Sequence, residues 1–143
     1  MQLDPNNPVV LLCVKGMDAE GSADYDEAHR LFQQAWDIAA NDMEASTAAH
    51  YLARNQKEPE DKLKWNLEAL HRAHLVKEDG INGYYPSLYL NVAKSYEDLG
   101  DLKTATHYYQ QAAESCKAIP DSPYVDMIRS GINAGLKRVG VKD

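Results

Sequence analysis

Cysteine is scarce in this chain of 143 residues, which contains only Cys13 and Cys116. Two thiols, one near each end and each within an apolar helical pattern, exclude the disulfide framework that holds small secreted domains together. We expect both thiols to be buried, reduced and unrelated to each other. A cytoplasmic protein is predicted on this basis.

Long apolar runs are also missing. The stretch from Val9 to Val14 has six residues, follows Asp4 and has no basic residue before it. It is too short for a membrane-spanning helix and wrongly flanked for a signal peptide. We therefore predict no membrane partner.

Basic residues are in the minority, with 15 Lys and Arg against 22 Asp and Glu, a formal net charge of −7 and a pI of about 5.1. Sequence-independent binding of nucleic acid requires clustered Lys and Arg, so no nucleic-acid partner is predicted. The acidic residues are spread along the chain, which favours a role in solubility.

Catalytic motifs are missing as well. The sequence has no glycine-rich phosphate loop, no dinucleotide fingerprint and no nucleophile-elbow motif. His71 and His74 are three residues apart on an expected helix, but no third ligand is in register with them, so exposed surface histidines are the favoured interpretation. We predict no enzyme activity, no metal and no cofactor.

What the sequence does contain is a spacing that occurs three times, shifted by 38 and then by 39 residues. A period in this range, with small and large apolar residues at helical intervals, is typical of a solenoid of helical hairpins. The three occurrences are Ala28, Phe32 and Ala35, then Asn66, Leu70 and Ala73, then Ala105, Tyr109 and Ala112.

Capping residues and prolines predict seven helices, and no segment alternates with the period of a strand. The fold class predicted is all-α, a right-handed α-solenoid of three helical hairpins and a C-terminal capping helix in one domain. The hairpins are expected at about 8–41, 42–79 and 84–119, and the capping helix at 122–139. The helices are expected to start, in chain order, at Pro8, after a cap at Asp24, after a cap at Asn41, at Pro59, at Tyr85-Pro86, after a turn at Gly100-Asp101, and at Ser122-Pro123. The clearest break between helices is Gly80 to Gly83.

The third hairpin resembles the core of a tetratricopeptide repeat. Tyr96, Gly100, Ala105, Tyr109 and Ala112 follow the spacing Y-x3-G-x4-A-x3-Y-x2-A. In that pattern the glycine allows a sharp turn, the alanines allow close helix approach and the tyrosine fills the gap between hairpins. The resemblance covers residues 8 to about 119.

The other two repeats depart from this pattern, since Ala19 replaces an aromatic residue and Asn66 replaces a small one. The period exceeds the usual value of about 34 residues, which indicates the longer-helix variety. The segments His50-Tyr51-Leu52-Ala53-Arg54 and Trp65-Asn66-Leu67-Glu68-Ala69-Leu70 are similar to a small bacterial tetratricopeptide family.

The resemblance implies that the leading helix of each hairpin lines a concave groove. Within the second and third hairpins the groove residues share the spacing i, i+3, i+7, so each set forms one row. Their amide and cationic groups favour a peptide carboxylate or an acidic side chain, and Asn91 resembles the asparagine with which chaperone-binding members hold a terminal carboxylate. The candidate residues are Val14 and Met17; Thr47, His50 and Arg54; and Asn91, Lys94 and Asp98.

The predicted function is a non-catalytic protein-interaction module that binds a peptide or partner helix, of acidic character, in this groove. Solvated polar residues on a helix face are the alternative interpretation of the candidate set. Two other functions stay open: a structural protein that self-associates, as a homodimer for example, and a regulatory domain that senses a small ligand.

Overall fold

All regular structure in the computed structural model, which describes residues 4–141, is helical, with seven α-helices and no strand in that range. The all-α prediction is thereby confirmed, with consecutive helices packed on one another within each of the chain's two compact units. The helices are α1 Pro8–Gly21, α2 Tyr25–Ile38, α3 Asp42–Arg54, α4 Pro59–His74, α5 Tyr85–Asp98, α6 Leu102–Cys116 and α7 Pro123–Arg138.

The predicted caps at Asp24, Asn41 and Ser122 are confirmed, because each side chain accepts a hydrogen bond from a backbone N–H of the first turn. The cap of α3 has one unexpected feature. The Glu44 carboxylate accepts from the Ala40 backbone N–H at 2.9 Å and from the Asn7 side chain at 2.9 Å. It thereby ties the start of α3 to the start of α1.

The break expected from Gly80 to Gly83 lies inside a 3₁₀ helix over Asp79–Tyr84. The reason is Ile81, an apolar residue between the two glycines that is 5% exposed. A tight 3₁₀ turn lets so short a segment bury that side chain without a full α-helix.

The chain divides into two compact units, an N-terminal unit through Glu78 and a C-terminal unit from Asp79. In the N-terminal unit α1 packs on α2, α3 packs on α4, and α3 also contacts α1 and α2. The Phe32 ring is fully buried against Gly16, where an added Cβ would lie 2.2 Å from a ring carbon. The core around it comprises Val9, Cys13, Ala28, Phe32, Ala35, Ala48 and Leu52.

In the C-terminal unit α5 and α6 form a hairpin and α7 packs on both. The Tyr109 ring is fully buried against Gly135 of α7, where an added Cβ would again lie 2.2 Å from a ring carbon. The Tyr109 hydroxyl donates to Glu97 at 2.6 Å, and Arg138 donates to Glu97 at 2.9 Å and to the tyrosine oxygen at 3.2 Å. One polar network therefore joins all three helices.

Both cysteines are free and buried, as predicted. Burial raises the pKa of the Cys13 thiol to about 12, so this thiol stays protonated and unreactive near neutral pH. None of the helices in residues 4–141 combines the length and the apolar composition needed to cross a bilayer.

Candidate functional site

The α3 candidates Thr47, His50 and Arg54 lie on one side of the helix because Ala48 and Leu52 turn into the core. Thr47 and His50 are half-buried and Arg54 is exposed. The Thr47 hydroxyl donates to the Met43 carbonyl one turn back, at 2.9 Å.

The His50 ring lies edge-on to Tyr51, with the ring centroids 5.1 Å apart. Burial, and secondarily the charge of Arg54, lowers the pKa of His50 to about 4. His50 is therefore neutral near pH 7, and Arg54 is the only member of this row that carries a positive charge. A neutral imidazole can still donate or accept a hydrogen bond.

The Arg54 guanidinium is positioned by two neighbours. It lies 5.5 Å from the centre of the Tyr51 ring, in cation–π geometry, and its Nη2 is 3.1 Å from Oε1 of Glu20 on α1. That contact lacks hydrogen-bond alignment, since the buried Glu20 Oε1 accepts no hydrogen bond within the described residues. Half of the Arg54 side chain, 48%, is exposed.

The α1 candidates differ from each other. Met17 is half-buried and packs against the core around Phe32, whereas Val14 is 43% exposed. Met17 therefore contributes chiefly to packing of the N-terminal unit.

The α5 candidates lie in the C-terminal unit. Lys94 and Asp98, four residues apart, form an ion pair with each other and are both exposed. Asn91 is half-buried one turn before Lys94. Because Asp98 neutralises the Lys94 ammonium, this row offers less net positive charge than its composition suggests.

A third row with the same spacing escaped the sequence analysis. Asn91 immediately precedes the buried Val92 of α5, and Met127 immediately precedes the buried Ile128 of α7. Ser130 and Ala134 lie three and seven positions after Met127, and the side chains of all three residues are exposed. The interval i, i+3, i+7 is visible in the sequence, but the sequence predicts a capping helix there, and these residues are therefore not among the candidates.

A cleft of about 440 Å³, lined entirely by the N-terminal unit, lies beside α2, α3 and α4. Its Arg72 stacks 5.3 Å from the centre of the Trp36 ring and bonds Glu68 at 2.8 Å and Asp42 at 3.2 Å. Because these groups already engage the guanidinium, the cleft is best explained as a structural link between the three helices. It is lined by Trp36, Ala39, Ala40, Asn41, Asp42, Ala45 and Arg72.

No group of three potential metal ligands comes together within the described residues, and His71 and His74 are both exposed on α4. No family model matches the chain, and no curated protein matches it either. The tetratricopeptide resemblance therefore stays a prediction.

Proposed function

We propose that this chain is a non-catalytic protein-interaction module and that Arg54 on α3 is the anchor for a carboxylate of a peptide or partner helix. The observation that carries the proposal is the state of this guanidinium. It lies in cation–π geometry on the Tyr51 ring and 3.1 Å from Glu20 Oε1, which accepts no aligned hydrogen bond from it, and 48% of its side chain is exposed.

A guanidinium held in place binds a carboxylate at low entropic cost, since its planar N–H groups match both carboxylate oxygens. The neighbouring His50 is neutral, so it adds a polar contact without a second charge. Buried, free cysteines fit the predicted cytoplasmic setting.

The test begins with a random peptide library displayed on phage, selected on the wild type and counter-selected on Arg54→Ala. A selected peptide is then synthesised, and its affinity is measured by fluorescence anisotropy. We expect Arg54→Ala to weaken binding about 10- to 100-fold, the usual loss for a charge-assisted hydrogen bond. Raising salt from about 0.1 M to about 1 M should weaken it as well, because the Debye length falls from about 10 to 3 Å.

Two further variants make the test specific. Glu20→Gln removes the carboxylate that competes for Arg54, so it should tighten peptide binding. Arg30→Ala removes an exposed arginine that pairs with Glu27 on α2, and it should leave binding unchanged. Equal affinity in the wild type, Arg54→Ala and Glu20→Gln would remove the α3 row from the proposal.

A further inference from the structure

The short segment between α4 and α5 contains a reactive dipeptide that the proposed carboxylate site does not use. Of the eight asparagines of the chain, only Asn82 is followed by glycine. Asparagine is thermally labile, because the backbone nitrogen of the next residue can attack its side-chain amide carbon. The attack is least hindered before glycine, which has no side chain. Asn82 is therefore a candidate for spontaneous chemical modification.

Both partners of this reaction are accessible. Asn82 and Gly83 are exposed, and nothing lies within 4 Å of a Cβ added to Gly83. The Asn82 side chain makes no hydrogen bond within residues 4–141, so it can turn toward the backbone. Asn133 provides a comparison within the same molecule, since it is also exposed but lies inside α7 and is followed by Ala134.

The 3₁₀ helix Asp79–Tyr84 controls the reaction, because ring closure requires the Gly83 nitrogen to leave its helical geometry. The hydrogen bonds of a 3₁₀ helix are poorly aligned, and two of these six residues are glycines, which gain much conformational entropy on opening. Ile81, 5% exposed, is the only buried residue among the six. Burial of one side chain therefore keeps the segment closed, and local opening needs less free energy than unfolding of the C-terminal unit.

We propose that Asn82 is a site of spontaneous deamidation and isomerisation, in which opening of the 3₁₀ helix lets the Gly83 backbone nitrogen attack Cγ of Asn82. The N–Cγ bond forms, the Cγ–Nδ2 bond breaks, and the proton lost by the Gly83 nitrogen leaves with Nδ2 as ammonia. Water then opens the five-membered succinimide, adding its hydroxyl to a ring carbonyl carbon and its proton to the nitrogen. Cleavage at Cγ gives aspartate, and cleavage at the backbone carbonyl carbon gives isoaspartate.

Either product replaces a neutral amide by a carboxylate. Asn82 lines a cleft of about 230 Å³ together with Tyr85 and Tyr89, and the only carboxylate in that lining is Glu114. The reaction therefore brings a second negative charge into this cleft as the protein ages. Isoaspartate also lengthens the backbone by one carbon atom directly after Ile81. The reaction does not involve Arg54 and is independent of the proposed peptide site.

Incubation of the full chain in mildly alkaline buffer, followed by mass spectrometry of its proteolytic fragments, tests the modification. Asn82 should convert to aspartate and isoaspartate while Asn133 in the same molecules stays unchanged. Gly83→Ala should slow the conversion several-fold, and it should keep the fold because its new methyl group meets nothing within 4 Å. An unmodified Asn82, or equal rates in the wild type and in Gly83→Ala, would overturn the proposal.

Variants of Ile81 test control by the 3₁₀ helix. Ile81→Val should accelerate conversion of Asn82 about 2- to 10-fold, which corresponds to the usual loss of stability for this substitution, and Ile81→Ala should accelerate it further. Ile128→Val is the matched control, because Ile128 is 7% exposed and lies in the core of α7, so it should leave the rate unchanged. Equal rates in the Ile81→Val and Ile128→Val variants would show that the 3₁₀ helix does not control the reaction.

Discussion

The two units of the chain each bury one aromatic ring against a glycine of a neighbouring helix, but they do so differently. The single phenylalanine, Phe32, lies against Gly16 of the preceding helix α1 and is surrounded by apolar side chains. Tyr109, at the same place in the repeat, lies against Gly135 of the following helix α7 and keeps its hydroxyl bonded to Glu97. One repeat position thus accommodates either an entirely apolar contact or a ring with a polar end, depending on what the adjacent helix supplies.

The helix turns of the two units show the same contrast. In both, a backbone N–H of an aspartate bonds a carbonyl five residues earlier: Asp24 to Ala19 at 2.8 Å, and Asp101 to Tyr96 at 3.0 Å. The residue before the aspartate has positive φ in each turn, with Gly100 at 85° and Ala23 at 60°. The C-terminal unit therefore uses glycine where the N-terminal unit tolerates a strained alanine.

The two units should differ most clearly in how their stability changes when the pH is lowered. His50 has an ordinary pKa of 6.5 that burial lowers to about 4 in the folded chain. Between those values the unfolded chain takes up a proton that the folded chain refuses, so stability is complete above pH 6.5 and falls as pH approaches 4. We expect the N-terminal unit to lose on the order of 2–3 kcal/mol over this range.

Urea unfolding at several pH values measures this loss, and tryptophan fluorescence reports the correct unit because Trp36 and Trp65 both lie in it. His50→Gln should flatten the profile. In the C-terminal unit, hydrogen bonding to Arg138 lowers the pKa of Glu97, so its contribution is lost only below its ordinary value of 4.5. An unchanged slope in His50→Gln would show that this imidazole is not the titrating group.

Substituting alanine for the glycines that contact the two buried rings should have the next largest effect on stability. In Gly16→Ala and Gly135→Ala the new methyl group meets the Phe32 and Tyr109 rings, respectively. Overpacking should cost about 1–3 kcal/mol, more than the gain of about 1 kcal/mol that alanine brings to a helix. Gly21→Ala is the control, since nothing lies within 4 Å of its added Cβ, and it should unfold at or above the wild-type denaturant concentration. Wild-type stability in the first two variants would mean that the rings move aside.

Exchanging phenylalanine and tyrosine between the two units tests whether their ring pockets differ in polarity. Phe32→Tyr places a hydroxyl in an apolar core and should cost about 1–3 kcal/mol if it finds no partner. Tyr109→Phe should cost less, about 0.5–1.5 kcal/mol, because Glu97 and Arg138 still pair with each other. Urea midpoints followed by circular dichroism provide the measurement, and equal losses would contradict the assigned difference between the pockets.

Substitutions in the two turns should change stability in opposite directions, and the gain in the N-terminal turn should be the smallest effect of all. Gly100→Ala forces a side chain into the left-handed region and should cost about 1–2 kcal/mol. Ala23→Gly relieves the corresponding strain and should gain less than about 1 kcal/mol, since glycine also adds entropy to the unfolded chain. Thermal unfolding measures both, and destabilisation by Ala23→Gly would show that the alanine is not strained.

Local signals were sufficient to predict most of the fold. The caps Asp24, Asn41 and Ser122, the first-turn prolines and the glycine at the α5–α6 turn each act through a few neighbouring residues, so they can be read from the chain. The 3₁₀ helix around Ile81 could not, because burial of that side chain, and not a local motif, ordered the segment.

The candidate site was less predictable. Its rows follow from helical spacing, but the charge each row presents depends on neighbours. Glu20 of α1 lies beside Arg54 of α3, and Asp98 pairs with Lys94. The first of these contacts joins different helices, and no spacing rule links its two residues.

The helices, their ends and the repeated apolar positions can be predicted from the chain alone, because propensity, capping and periodicity act over a few residues. Packing of the helices is needed to explain that His50 is neutral, that Arg54 is held by Tyr51 and Glu20, and that Tyr109 shares Glu97 with Arg138. Burial and electrostatic interactions depend on distances between residues far apart in the chain, and packing of the helices fixes those distances.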